Sequence, residues 1–265
     1  VEACPGAGKT QAIAERFIRR PNAHPRKGVA LLSFTNAAAD EAHRRCIAQP
    51  GFLIAPNFIG TIDKFINRFI VSPTLAAQAM APSRFVDVWS QLPHASVRSK
   101  GVDVNATLDW FEFDKDGNAK LVIGRAPAKS RQSLEDLDRW KIDKLQDRAT
   151  TVIKLMHSRG YHDSDSSRRV AIQALSDSPT RKLLTELLVS RFSEVIVDEV
   201  QDCSDGDAEI LQWVRESGVE LVLVGDPDQA IYGFRGRSTD AGKRITSLVP
   251  AGDRLSGNFR STPAI

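Results

Sequence analysis

Cysteine, methionine and tyrosine are the scarce residues here, with three, two and two copies among 265 positions. Cys4, Cys46 and Cys203 stand far apart and form no CxxC pair. Neither a disulfide framework nor a paired-thiolate zinc site is expected, and a reducing cytoplasm fits this usage. Long apolar runs are also missing. No stretch approaches the roughly 20 residues of a membrane-crossing helix, and no charged-then-apolar leader opens the sequence, so no membrane partner is expected. Neither sign of charge dominates: 36 Lys and Arg against 33 Asp and Glu leave a net +3. That excess permits a nucleic-acid partner without demonstrating one. No internal repeat or low-complexity tract interrupts the chain.

What is present begins with three short apolar runs, 29–33, 195–197 and 221–224. Each is continuous rather than alternating, which predicts parallel strands covered by helices on both faces. Ile62, Phe65, Ile66 and Phe69 fall on one face of a helix that Thr61 is placed to cap. Ser204 is placed to cap a second helix, burying Ile210, Leu211 and Val214. Between about 73 and 186 the strand–helix alternation lapses. A hairpin is expected there, joining 108–113 to 120–123, with 114–118 as a plain turn rather than a calcium loop. One long helix is expected next, with Leu134, Leu137, Leu145, Val152 and Met156 on its apolar side and Gly160 ending it. Further helices are expected around 170–175 and 181–192. The reading is an α/β P-loop domain over 1–72 and 187–265, interrupted by a mainly helical insertion over 73–186.

Ala3-Cys4-Pro5-Gly6-Ala7-Gly8-Lys9-Thr10 matches the phosphate-loop pattern, with Ala3 where that pattern usually opens on glycine. Gly6 and Gly8 let successive backbone N–H groups turn inward around phosphate oxygens. Lys9 brings a positive charge to the β and γ phosphates, and Thr10 offers a hydroxyl to Mg²⁺. A helix starting near Lys9 aims its positive end at the same anion. The bland alternative is a glycine-rich turn before a helix. Residues 1–10 read as loop throughout, with no strand ahead of them, and an upstream segment is expected to be missing.

Asp198 and Glu199 end the apolar run 195–197, where ligands of open parallel sheets bind. Asp198 is placed to hold Mg²⁺, and Glu199 to take a proton from an attacking water. The alternative is a solvated acidic loop.

At this point the motifs resemble a known family. Asp198-Glu199-Val200-Gln201-Asp202 looks like the DExQD box of UvrD/Rep-type superfamily 1 helicases. Val224-Gly225-Asp226-Pro227-Asp228-Gln229-Ala230-Ile231-Tyr232-Gly233-Phe234-Arg235-Gly236 resembles their third motif. Ser33-Phe34-Thr35-Asn36-Ala37-Ala38 is similar to TFTN-x-AA, Gly60-Thr61-Ile62-Asp63-Lys64-Phe65 to GTFHSF, and Asn258-Phe259-Arg260-Ser261-Thr262 to NYRS. With the phosphate loop, six motifs stand in family order.

The resemblance implies an ATP- and Mg²⁺-dependent 3′-to-5′ helicase acting on single-stranded DNA, or on DNA with a 3′ single-stranded tail. It implies that Gln229 senses the γ-phosphate and that Arg260 reaches it as an arginine finger. Phe34, Tyr232 and Phe234 are implied to meet unstacked bases, and Arg235, Thr61 and Asn36 to contact the strand. Core packing is the competing role for these aromatics. The sequence departs from the pattern at Ile62 and Asp63, where the family has Phe and His. A carboxylate is unfavourable against phosphates, so Asp63 is expected to do other work such as capping. Gln11 stands where the family often packs an arginine on adenine.

The family's upstream adenine-reading motif and its second motor domain are expected to lie outside this sequence. Two readings from other classes compete. One is a regulatory module that binds ATP or single-stranded DNA without unwinding, and the other is a P-loop enzyme such as a small-molecule kinase. Lys9, Thr10, Asp198, Glu199, Gln229 and Arg260 are all present, which argues against decay. The aromatic-rich third motif argues against the kinase.

Overall fold

Aliphatic runs without alternating polar positions must be covered on both faces, and here they form the middle of a parallel sheet. The computed structural model describes residues 2–3, 9–19, 26–47, 50–114, 116–225, 244–245, 247–248 and 254–255. It divides into two compact units, Val1–Ile70 with Val170–Ile265, and Val71–Arg169.

The first unit opens with β1 (Glu2–Ala3), α1 (Lys9–Arg19), β2 (Gly28–Ser33), α2 (Asn36–Cys46), β3 (Phe58–Thr61) and α3 (Ile62–Ile66). Every residue of β2 is buried. The chain then enters the second unit through α4 (Ser72–Ala77). There follow β4 (Arg84–Phe85), β5 (Ser96–Val97), β6 (Ala106–Thr107), β7 (Phe111–Phe113) and β8 (Ala119–Leu121). Next come α5 (Ala128–Glu135), α6 (Arg139–Ser158), β9 (Tyr161–His162) and α7 (Ser164–Ser176), the last crossing back into the first unit. The first unit is completed by α8 (Ser178–Arg191), β10 (Phe192–Val197), α9 (Asp205–Glu216), β11 (Glu220–Leu223) and β12 (Arg254–Leu255).

Four strands form one parallel sheet in the order β11-β10-β2-β3. The fold is therefore α/β, with helices flanking a central parallel sheet, as the uninterrupted runs predict. The chain steps outward from β2 to β3 in one direction and from β10 to β11 in the other, so its path reverses between β2 and β10. In open α/β sheets the crevice at such a reversal, beyond the carboxyl ends of the strands, is the ligand site. Helix α1 covers one face, with Ile13 and Phe17 packed against Val29, Leu31, Ile196 and Val224. Arg16 also ties it to the sheet, its Nε donating to the fully buried Glu194 of β10 at 2.6 Å and its terminal nitrogen to Glu220 of β11 at 2.9 Å.

Several expectations need correction. Residues 2–3 are strand rather than loop: β1 pairs in parallel with β12, Ala3 opposite Leu255. Strand β3 went unforeseen because its four residues carry no long apolar run, and the pairing with β2 supplies what the local sequence lacks. The single long helix is two, α5 and α6, with a break across residues 136–138. Asp136 and Asp138, poor helix formers that favour caps and turns, occupy that break. The hairpin is shorter than expected, with β7 and β8 paired over three residues each.

Two turn residues act as read from the sequence. Asp114 Oδ1 accepts the Asp116 and Asn118 N–H groups at 2.9 and 2.8 Å, making 114–118 a turn. Gly160 has φ +82°, and a side chain there would put Cβ 2.1 Å from the Pro82 carbonyl oxygen. The unit boundary falls at 169/170, so α8 groups with the sheet. Trp213 Nε1 donates to Thr185 Oγ1 at 3.0 Å, and Arg181 pairs with Glu216 at 2.6 Å, joining α8 to α9.

Candidate functional site

The crevice between β2 and β10 gathers the described motif residues at the carboxyl edge of the sheet. The β10 ladder runs one residue past the strand, with the Asp198 N–H donating to the Leu32 carbonyl at 2.9 Å. Asp198 is buried, and its Oδ1 accepts the Glu199 N–H at 2.9 Å. Glu199 then turns left-handed, with φ 54° and ψ 47°. A non-glycine residue there is uncommon and held only where its surroundings over-determine it. The restraints are visible on the next residue: the Val200 N–H donates to the Val224 carbonyl at 3.1 Å, and the Val224 N–H to Val197 at 2.8 Å. The acidic turn is thus held by both neighbouring strand ends. Gln201 Nε2 donates to Glu199 Oε2, which orients the half-buried carboxylate. Behind the turn, Ser204 and Asp207 form the reciprocal cap of α9, as the sequence predicts for Ser204.

Gly225 packs directly on this turn. A Cβ on it would lie 2.6 Å from Val200 Cγ2 and 2.8 Å from Gln201 Oε1. Gly225→Ala is therefore expected to push Gln201 aside and release Glu199. With Glu199 as the general base expected from the sequence, ATP hydrolysis should fall about tenfold or more, since displacements near 1 Å at a reacting group can cost about 10²-fold. Steady-state ATP hydrolysis beside a thermal melt checks this. A variant that folds and hydrolyses like the parent would refute the contact's importance.

On the other side of the crevice, β2 and β3 end in register, Ser33 opposite Thr61. Phe34 follows β2 half-buried, between the two roles open to it. Thr35 caps α2 through its Oγ1, which accepts the Ala38 N–H at 3.1 Å. Asn36 opens α2 and is exposed, and its Oδ1 accepts from Lys64 Nζ at 2.8 Å. Thr61 is buried and caps α3, its Oγ1 accepting the Lys64 N–H at 3.3 Å. The cap is therefore Thr61, while Asp63 sits in the first turn of α3 with its Oδ1 buried.

Ala3 lies in β1, and Lys9, Thr10 and Gln11 begin α1, with only their backbone described. Pro5, Gly6, Ala7, Gly8, Gln229, Tyr232, Phe234, Arg235 and Arg260 lie outside the described residues. Sequence reasoning gave no role to Gln201, Gly225 or Lys64. For the first two the signal was their place in quoted motifs; for Lys64 it was a cation inside a strand-contacting motif. A cavity of about 450 Å³ lies in the second unit and contains none of the motif residues. Two of its carboxylates are already engaged: Asp109 accepts the Trp89 and Ser90 N–H groups, and Glu112 pairs with Arg125. Among the described residues, no helix is long and apolar enough to cross a membrane.

Comparison with known proteins agrees with this arrangement. The family model for the UvrD/REP helicase N-terminal domain matches residues 1–245. DNA helicase II of Escherichia coli is 23% identical over 98% of this chain, which spans 36% of that protein. A probable DNA helicase of Mycoplasma pneumoniae is 26% identical over 98% of the chain, which spans 50% of it. The RecBCD enzyme subunit RecB of Mycobacterium tuberculosis is 33% identical over 42% of the chain and 10% of its own length.

Proposed function

We propose, starting from the premise that the chain belongs to the UvrD/REP helicase family, that it carries the ATP-hydrolysing first motor domain of a 3′-to-5′ DNA helicase. The observation that supports this reading best is the crevice between β2 and β10. There an anchored Asp198-Glu199 turn stands across the strand reversal from the exposed Asn36.

ATP is the substrate in this reading; Pro5, Gly6, Ala7 and Gly8 belong to the phosphate-loop motif that binds its phosphates, and Lys9 neutralises them. Asp198 and the Thr10 hydroxyl are hard oxygen donors that suit Mg²⁺, and they would hold it. When bound, Mg²⁺ neutralises charge on the phosphates. Glu199 accepts the proton of the attacking water as its oxygen bonds to the γ-phosphorus and the bond to ADP breaks. Arg260 stabilises the charge that develops, and Gln229 reports the γ-phosphate to the strand site. Stacking of bases on Phe34, Tyr232 and Phe234 holds single-stranded DNA, each contact worth about 1–3 kcal/mol. Asn36, Thr61 and Arg235 track its backbone. In this reading the motor domain is the sheet-bearing unit, 1–70 with 170–265, and 71–169 is the insertion within it. That insertion is shorter than the 73–186 expected from the sequence, because α8 packs with the sheet.

The test is ATP hydrolysis by the purified chain with and without single-stranded DNA. DNA-stimulated hydrolysis is the expected result. A folded chain that binds neither ATP nor DNA would reduce the helicase reading to ancestry.

A further inference from the structure

Asn36 and Lys64 lie equally far along the chain from the paired strand ends Ser33 and Thr61, and the parallel register brings them together. Lys64 Nζ donates to Asn36 Oδ1 at 2.8 Å, and both residues are exposed. An ammonium has donors and no acceptor. The contact therefore fixes the asparagine amide, carbonyl oxygen toward Lys64 and NH₂ away from it. Beyond this contact the pair presents its remaining ammonium hydrogens and the amide hydrogens as donors, with one lone pair left on Asn36 Oδ1. Among the described residues, no carboxylate lies within ion-pair distance of Lys64. The acidic neighbour that would spoil such a site, Asp63, has its Oδ1 buried.

Paired donors carrying one net positive charge suit a group that only accepts hydrogen bonds, and a phosphodiester is such a group. We propose that Lys64 and Asn36 together clamp one phosphate of the bound single strand, Lys64 supplying the charge and fixing the asparagine. The inference rests on the strand-binding reading above and adds to it a cation that holds the strand's backbone. It also accounts for a strand-contacting motif that tolerates an acid at Asp63: the next residue carries the compensating charge outward.

The experiment measures binding of a fluorescent oligothymidylate to the full chain by anisotropy over a series of salt concentrations, for the parent, Lys64→Ala and Lys64→Arg. Lys64→Ala should weaken binding about 3- to 10-fold. It should also lower the slope of log affinity against log salt by about 0.7, the share of one neutralised phosphate on a single strand. Lys64→Arg should restore both, and all three proteins should bind Mg²⁺-ATP and melt alike. Unchanged affinity and slope in Lys64→Ala, with a parent that binds, would overturn the clamp and leave the strand reading standing. Weaker binding at an unchanged slope would also overturn it, since Lys64 would then act only by holding Asn36. Weaker ATP binding in Lys64→Ala would assign the phosphate to the nucleotide instead. A parent that does not bind the oligonucleotide would overturn the strand reading and the clamp together.

Discussion

Replacing Glu199 with glutamine is expected to cut ATP hydrolysis by about 10²- to 10⁴-fold, the usual contribution of a positioned general base, while Mg²⁺-dependent ATP binding persists. The substitution keeps the side chain's shape, so the left-handed turn at Glu199 and its anchoring to Val197, Leu32 and Val224 should survive. Gln201 Nε2 can still donate, because an amide carbonyl replaces the carboxylate oxygen it now meets. What disappears is the capacity to take a proton. At about 1.36 kcal/mol per decade the loss corresponds to a barrier about 3–5 kcal/mol higher. Single-turnover hydrolysis beside equilibrium binding of a fluorescent ATP analogue separates the two effects. Hydrolysis within a few-fold of the parent would remove Glu199 from the role of base.

Acid is expected to weaken the second unit through a pair of histidines. His157 and His162 stack with centroids 5.0 Å apart and planes 7° from parallel. Among the described residues, no hydrogen bond reaches His157 Nε2 or either ring nitrogen of His162. Burial and then repulsion from His162 push the His157 pKa from its ordinary 6.5 down to about 4, with Arg169 adding to the shift and Asp163 opposing it. Burial lowers His162 as well, helped by Arg169 and again opposed by Asp163. The sign follows from linkage: the folded chain keeps these rings neutral, whereas the unfolded chain takes up protons near pH 6.5. Stability is therefore full above that pH and is lost as pH falls toward 4. For His157 the loss integrates to about 3 kcal/mol. Urea unfolding at pH 7, 6 and 5 should show it, and His157→Gln with His162→Gln should flatten the slope over the same window. Equal slopes in parent and variant would clear the stack of this role.

The arrangement of parallel planes also bears on metal binding. Ring-nitrogen lone pairs lie in the ring plane, so two stacked imidazoles cannot direct them at one ion without turning. The pair reads as a packing element whose cost appears only in acid.

Much of this protein was legible in its residues. The runs at 29–33, 195–197 and 221–224 became β2, β10 and β11, because an uninterrupted aliphatic strand is stable only when covered on both faces. Ser204 capped α9 because a hydroxyl before an amphipathic stretch has an orphan N–H within reach. The ordered motifs indicated the family before any fold was considered. These features depend on short stretches of chain, where local chemistry decides.

Other features were settled only by contacts between distant residues. Strand β3 exists because β2 offers it a ladder, and β1 because β12 does. The split between α5 and α6 interrupts an apolar pattern that continues across it, from Leu134 to Leu145. The left-handed Glu199, the glycine-only space at Gly225 and the Lys64–Asn36 pair each require segments far apart in sequence to meet. Residue type and spacing named the chemistry available to this chain. Only the parallel register of β2 with β3 and β10 decided which of those groups face one another, because register depends on the free energy of the whole sheet and not of any one strand.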